Sequence, residues 1–180
     1  MSQDKKEKRK NEVFEWIKSI LFAVIIAIII KTFIFNTTYV LGNSMYPTLH
    51  EKDRLFTNKI LYIVDEPSRG DIVVLHAPDE RNKDYIKRVI GIEGDVVRIT
   101  DGSVYLNDKK LDEEYVSPNS YTNEELQIEV GKGEVFVLGD NRLKNASKDS
   151  RYFGTVDIDE ITGKAFFRYY PFNERFGLLK

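Results

Sequence analysis

The 180-residue sequence contains no cysteine. This absence excludes a disulfide scaffold, a thiol nucleophile and any metal centre bound through cysteine. Histidine is nearly as scarce, with only His50 and His76, so a histidine-rich metal centre is excluded as well. A net charge of -2 disfavours a general nucleic-acid binder. The composition therefore indicates no metal, no cofactor and no nucleic-acid partner.

Apolar residues, in contrast, are plentiful. Hydrophobic residues make up 42% of the chain and include 11 Phe and 10 Tyr. This content is enough for a globular core and excludes a wholly disordered chain. The length predicts one domain with an appendage.

A long apolar run lies near the N-terminus. Residues 20–30 contain no polar side chain, and the 20 residues from Trp16 to Phe35 contain only four. A helix needs about 20 apolar residues to cross a bilayer, and the absence of a polar stripe argues against a buried core helix. We therefore predict a basic tail over 1–15, a transmembrane anchor over 16–36 and a β-domain over 37–180.

The main alternative for this run is a cleaved signal peptide. The residues that follow it, FNTTYVLGNSM, lack a pair of small residues at the spacing that a cleavage site needs. Six Lys and Arg residues precede the run, whereas only Lys52 and Arg54 occur in residues 36–56. The positive-inside rule then predicts a single-pass cell-membrane protein with a cytoplasmic N-terminus and an extracytoplasmic β-domain.

The region after the run is predicted to be mainly β. Alternating or β-branched stretches recur between turn sequences rich in Gly, Asn and Asp. The predicted strands are Arg54–Tyr62, Asp71–His76, Tyr85–Ile92, Asp95–Thr100, Val104–Leu106, Leu126–Val130, Glu134–Leu138 and Ile161–Tyr170. The sequence VYLNDKKL predicts a tight hairpin, 157–161 predicts one helical turn, and 112–125 predicts a surface excursion. The expected fold is a partly closed barrel or sandwich.

A predicted extracytoplasmic β-domain with serines available and almost no histidine suggests nucleophilic catalysis as a chemistry to consider. The Gly-x-Ser-x-Gly elbow is absent, and neither His50 nor His76 lies in a triad-like motif, so both are expected in loops or at strand ends. A lysine can act as the base instead, provided that burial lowers its pKa from about 10.4 towards neutrality.

Four segments, in order after the apolar run, fit a serine and lysine pair. They are GNSMYPTL from Gly42, RGDIVVL from Arg69, YIKRVIGIEGD from Tyr85, and GDNR from Gly139 followed by SKDSR from Ser147. Over residues 10–175 the chain resembles type I signal peptidase, a membrane-bound serine protease that removes signal peptides from secreted preproteins. The short chain with one span is similar to the Gram-positive branch of that family.

The resemblance implies that Ser44 is the nucleophile and Lys87 the general base. The residues agree with these roles: Met45 and Pro47 give Ser44 an apolar, restricted setting, and the strand pattern puts Lys87 on one face with apolar neighbours. The resemblance also implies that Ser147 orients the lysine.

Two departures from the family pattern concern the same site. The interval from Arg142 to Ser147 is five residues, longer than is usual in the family, which leaves Ser150 as a weaker rival. Gly42 stands where many relatives carry a serine that helps to form the oxyanion hole. The Ser44 N–H then supplies one donor near Gly42 and Met45, and the second donor is left to a backbone amide or water.

The remaining predicted site residues hold geometry or line a pocket. Arg88 is expected to pair with Asp140, and Asp149 with Arg151, as structural ion pairs. The candidate apolar walls of the substrate pocket are Val40, Leu41, Met45, Ile86 and Val89.

The predicted function is thus a serine endopeptidase that acts on secretory preproteins carrying small residues before the cut. Membrane lipid and the secretion translocon are its other expected partners. A self-cleaving repressor with a related dyad is disfavoured by the apolar run and the lack of DNA-binding helices. The alternative of a different class is a non-enzymatic, membrane-anchored β-domain that serves in binding or assembly.

Overall fold

The structure, a computed structural model, describes residues 3–29, 35–59, 61–118 and 120–179. The chain divides into two compact units, Met1–Asn36 and Thr37–Lys180. The first contains helix α1, and the second contains nearly all of the β-structure.

Helix α1 spans Gln3–Ile29. Its apolar side chains between Phe14 and Ile26 are exposed, with Trp16 73% accessible. Among the described residues, no helix combines the length and the apolar character that crossing a bilayer requires. Residues 30–34 of the predicted span lie outside the described residues. The transmembrane anchor therefore stays a prediction.

The second unit is built mainly of short strands. In chain order the elements are β1 (Phe35–Tyr39), β2 (Arg54–Asn58), α2 (Leu61–Val64), β3 (Ile72–His76), β4 (Asp84–Ile92), β5 (Val96–Thr100), β6 (Ser103–Leu106), β7 (Lys109–Lys110), β8 (Leu126–Glu129), β9 (Glu134–Leu138), α3 (Ser150–Phe153), β10 (Val156–Asp157), a 3-10 turn (Ile158–Glu160), β11 (Ile161–Tyr170) and β12 (Gly177–Leu178).

These strands form two sheets of antiparallel pairs. The main sheet has the order β1-β2-β11-β3-β4-β9-β10, with β12 paired to β11, and the smaller sheet has the order β7-β6-β5-β8. The prediction of a mainly β fold is confirmed. The finer prediction, a partly closed barrel or sandwich, stays a prediction.

All eight predicted strands have a counterpart, but one prediction was too long. The strand predicted over Arg54–Tyr62 ends at Asn58, and helix α2 begins at Leu61. The side chain of Asn58 accepts the Leu61 N–H at 3.2 Å, so it caps a helical turn where the alternating pattern favoured a strand. Helix α3 and the short strands β1, β10 and β12 have no counterpart among the predicted elements.

The central strand β4 carries the residues that matter most for the site. Its residues from 85 to 91 are all buried, between neighbours β3 and β9. Ile86 packs in an apolar cluster with Met45 and Leu49, whereas Tyr85 and Val89 pack in a cluster on the opposite strand face. Because side chains alternate along a strand, Lys87 shares the face of Tyr85 and Val89 and stands opposite Val73 of β3.

Candidate active site

The candidate nucleophile lies on a tight turn over residues 42–49. Gly42 has φ 78°, in the left-handed region that glycine enters without strain, and so reverses the chain just before Ser44. Two backbone hydrogen bonds close the turn, from the Tyr46 N–H to Asn43 O at 3.1 Å and from the Leu49 N–H to Met45 O at 2.8 Å. Met45 and Leu49 are buried in the core, so the turn that carries Ser44 is anchored on its apolar side.

Lys87 reaches Ser44 directly. Its Nζ donates to Ser44 Oγ at 3.0 Å and to the carbonyl of Ile86 at 2.9 Å. The lysine is only 2% exposed, while Ser44 is half-buried. The strand therefore holds the amine against the hydroxyl, on the border between the core and solvent.

The surroundings of Lys87 make its ammonium group lose its proton more readily than that of an exposed lysine. Burial lowers its pKa to about 8, against an upward pull from the carboxylates of Asp149 and Asp140. Arg151 adds to the lowering through charge repulsion. With a pKa near 8, about a tenth of the lysine is neutral at pH 7, so an accessible base exists at ordinary pH.

A residue without an assigned role, Asn141, fixes the nucleophile turn from the other side. Its backbone N–H donates to Ser44 O at 3.0 Å, and its side-chain Nδ2 donates to Asn43 O at 3.0 Å. Among the described residues, the Ser44 N–H donates none of the backbone hydrogen bonds that fix this turn. Asn141 belongs to the GDNR segment that begins at Gly139, and its place in that segment could have identified it as a site residue.

Gly139 brings Ser147 against the nucleophile. A Cβ on Gly139 would lie 2.3 Å from Ser147 Oγ and 2.4 Å from Ser44 O, so only glycine fits between them. Ser147 is 3% exposed, and its Oγ makes no hydrogen bond to any described residue. The Ser147 hydroxyl, which the resemblance implies orients Lys87, therefore makes no hydrogen bond to the lysine in this structure, although it is buried beside the site.

The loop that carries Ser147 is tied down by Asp149. Its carboxylate accepts two hydrogen bonds from the Arg151 guanidinium, at 2.7 and 2.8 Å, and one from the Gly139 N–H at 3.0 Å. Asp149 also caps helix α3. The hydroxyl of the rival serine, Ser150, accepts the Val137 N–H at 2.9 Å, which gives Ser150 a structural task.

A second buried ion pair lies on the nucleophile side. Arg88 donates to both carboxylate oxygens of Asp140, at 2.9 and 2.8 Å, and both residues are almost fully buried. Thr48, from the nucleophile turn, donates to the same carboxylate at 2.5 Å. The pair thereby links β4, the loop after β9 and the turn that carries Ser44.

The predicted pocket residues differ in their access to solvent. Val40, Met45 and Ile86 pack together in one buried cluster, while Leu41 beside them is 77% exposed. Val89 is fully buried in a different cluster. The exposed Leu41 is thus the member of this set with most surface to offer a ligand.

Neither histidine contacts the serine and lysine pair. His50 packs edge-on against Tyr46 with ring centroids 5.1 Å apart, and His76 pairs with Asp84 at an exposed strand end. Within the described residues, no group of three or more His, Asp or Glu side chains is arranged to hold a metal.

Comparisons with known proteins identify the family of the chain. The family described as "Signal peptidase, peptidase S26" matches residues 13–170. A signal peptidase I of Bacillus licheniformis is 41% identical, with 97% of each chain covered. The signal peptidase IB of Staphylococcus aureus strain COL is 40% identical over 92% of this chain and 93% of that protein.

A crystal structure of a signal peptidase I from Enterococcus faecalis V583 is 32% identical, covers 56% of this chain and 97% of that chain, and has a TM-score of 0.48. The match to the family spans the turn of Ser44, the strand of Lys87 and the loop of Ser147. The chain therefore belongs to the signal peptidase family, peptidase S26.

Proposed function

We propose that this protein removes signal peptides from secretory preproteins as a serine endopeptidase in which Ser44 and Lys87 form the catalytic dyad. The observation that carries the proposal is the 3.0 Å contact between Lys87 Nζ and Ser44 Oγ, made by a lysine whose burial lowers its pKa to about 8. A buried lysine that can lose its proton is a suitable base for a serine without a histidine partner.

In the proposed mechanism, neutral Lys87 accepts the Ser44 proton as Oγ attacks the scissile carbonyl. The Ser44 N–H donates to the oxyanion, and with Gly42 nearby the second donor is a backbone amide or water. As the tetrahedral intermediate collapses, the Lys87 ammonium gives its proton to the leaving amine, and an acyl-enzyme remains. Lys87 then takes a proton from water, whose oxygen attacks the ester, and returns that proton to the leaving Ser44 Oγ, which releases the signal peptide with its new carboxyl group.

The charged residues around the dyad are proposed to hold its geometry. The Arg88–Asp140 pair fixes the turn of Ser44 through Thr48, and the Asp149–Arg151 pair fixes the loop of Ser147. Ser147 is proposed to orient Lys87 when a substrate is bound, because its buried hydroxyl has no other partner among the described residues.

The substrate is proposed to bind in an extended form along a strand edge, with Ala-like residues at the first and third positions before the cut. Of the predicted walls, Leu41 is the exposed candidate, Val40, Met45 and Ile86 form one buried cluster near it in sequence or fold, and Val89 is fully buried in a different cluster. Replacing the Ala immediately before the cut by Phe is expected to abolish processing of a preprotein, as measured by gel shift. Unchanged cleavage of the Phe substrate would contradict the proposed specificity.

Membrane anchoring is part of the same proposal. The exposed apolar side chains of α1 between Phe14 and Ile26 support an anchor over 16–36, with 1–15 cytoplasmic and 37–180 outside, near lipid and the translocon. Protease added to spheroplasts should then digest the β-domain and spare a tag at Met1. Digestion of the tag with a protected β-domain would contradict this topology.

The central experiment incubates the purified full-length protein with a preprotein and follows release of the mature chain. Wild-type protein should cleave at the signal-peptide junction, and Ser44→Ala should not. Ser103→Ala, which removes a hydroxyl from the smaller sheet, is the matched control and should cleave normally. If the wild-type protein binds the preprotein without cleaving it, the non-enzymatic binding module is the correct function.

A further inference from the structure

The excursion over residues 112–125 does more than cover the surface. Three of its side chains, Glu113, Tyr115 and Thr122, reach the two buried arginines that flank the dyad. We call these three residues the brace. They lie in none of the four segments that carry the family resemblance.

The first contact of the brace is with Arg142, which has no exposed surface. Glu113 accepts two hydrogen bonds from the guanidinium, at 2.5 Å from Nη2 and at 2.9 Å from Nη1. Thr122 accepts a further bond from Nη1 at 3.2 Å. The excursion therefore supplies both side-chain partners of this guanidinium that the described residues contain.

The same guanidinium holds the loop beside the dyad. Arg142 Nε donates to the carbonyl of Gly139 at 2.9 Å. Gly139 is the residue packed between Ser44 O and the Ser147 hydroxyl, where no side chain fits. A shift of Arg142 would thus move the peptide that sets the distance between the nucleophile turn and the Ser147 loop.

The brace also covers the second arginine. The guanidinium of Arg88 lies 4.0 Å from the centroid of the Tyr115 ring, and the Tyr115 hydroxyl donates to Glu113 Oε1 at 2.8 Å. Arg88 is the partner of Asp140. The Glu113 carboxylate therefore binds both Arg142 and Tyr115, the residue whose ring covers Arg88.

Electrostatics explains why this arrangement must be kept intact. Burial disfavours the charged guanidinium of Arg142, but the hydrogen bonds and charge of Glu113, with the charges of Tyr115 and Asp140, together raise its pKa. Removing one partner of a buried ion pair leaves an uncompensated charge, which the chain relieves by moving it towards water. For Arg142 that movement would release the Gly139 carbonyl.

We infer that Glu113, Tyr115 and Thr122 are positioning residues for the Ser44–Lys87 dyad, acting through Arg142 and Arg88. This inference rests on the proposed function. None of the three reaches the dyad itself, so they set the geometry of the chemical step and leave the binding of substrate alone. Small misplacements of reacting groups, of about 1 Å, can lower a rate by about 10²-fold.

The test measures kcat and KM for preprotein cleavage by the full-length protein, with thermal unfolding of each variant. Glu113→Gln should lower kcat about 10- to 100-fold, and Tyr115→Phe and Thr122→Val should each lower it about 3- to 10-fold, with KM within about twofold of wild type. The matched controls are Glu114→Gln and Tyr121→Phe, exposed neighbours of the brace in the same excursion, which should leave kcat unchanged.

Tyr115→Phe keeps the aromatic ring, and Thr122→Val keeps the shape of the side chain. These two variants therefore test the inference even if Glu113→Gln fails to fold. A kcat within about twofold of wild type for both would overturn the inference. So would a rise in KM at constant kcat, or a loss of kcat equal to the unfolded fraction. An active Ser44→Ala variant would instead refute the proposed function, which separates the two failures.

Discussion

The two sheets of this signal peptidase differ in whether they bury charged side chains. In the strands of the smaller sheet, every buried residue is apolar: Val97, Ile99 and Val104. Its ion pair, Arg98–Asp108, spans 3.5 Å at the surface, with Asp108 93% exposed. The main sheet and its loops instead bury Lys87 together with the carboxylates and guanidinium groups around it.

This difference distinguishes packing that stabilises the fold from buried charge that positions the proposed catalytic residues. Buried charges contribute little net stability, because desolvation offsets their attraction, whereas apolar packing contributes directly. The smaller sheet is stabilised by an apolar cluster in which its Val97, Ile99 and Val104 pack with Ile90, Phe136 and Leu138 of the main sheet. The main sheet bears the cost of buried charge around the proposed catalytic residues Ser44 and Lys87 and the proposed orienting residue Ser147.

The largest expected effect is the loss of the dyad. Lys87→Arg keeps the charge, but a guanidinium has no accessible neutral form, so the chemical step should slow by at least about 10³-fold. Ser44→Ala should be equally inactive, and the double variant hardly worse than either single one, because the two residues act as a unit. Single-turnover cleavage of a preprotein measures the effect.

The control for this prediction comes from the smaller sheet. Lys109→Arg makes the same chemical change at an exposed position and should leave the rate unchanged. Substantial activity in Lys87→Arg would show that a neutral lysine is not required for cleavage. The charge that the main sheet buries at this position would then not serve the chemical step.

The second effect concerns the buried ion pair. Asp140→Asn leaves the Arg88 guanidinium buried without its countercharge and should cost about 3–5 kcal/mol of unfolding free energy, with about a 10²-fold loss of activity. Arg98→Ala breaks the surface pair of the smaller sheet and should cost about 1 kcal/mol or less. Urea unfolding and cleavage rates check both values, and equal costs for the two variants would contradict the comparison.

The third effect is the dependence of activity on pH. In the proposed mechanism the reacting form of Lys87 is neutral, and the neutral fraction rises with pH through the lowered pKa of about 8. The value of kcat/KM should therefore fall about 50-fold from pH 8 to pH 6 and level off above about pH 9. A rate that keeps rising tenfold per pH unit up to pH 10 would mean that burial does not lower this pKa.

The sequence predicts the buried lysine of the main sheet, but it does not predict the brace or the shortest strands. Alternation along residues 85–92 predicts that Lys87 points inward, and the four ordered segments place it with Ser44. The brace escapes such analysis because Glu113 and Arg142 are 29 residues apart, and their pairing depends on how the excursion folds back. Short edge strands such as β10 escape it too, since two residues carry no periodicity.

The smallest expected effect is that of the histidines. His50 lies near the nucleophile in sequence, but its ring packs against Tyr46, and His76 is exposed beside Asp84. Since neither ring contacts Ser44 or Lys87, His50→Ala and His76→Ala should each keep cleavage within about twofold of wild type. Their pH profiles should keep the same midpoint, because in the proposed mechanism the profile follows Lys87. A dead histidine variant, or a midpoint moved by one, would place an imidazole in the mechanism and show that burial of a lysine alone does not explain this site.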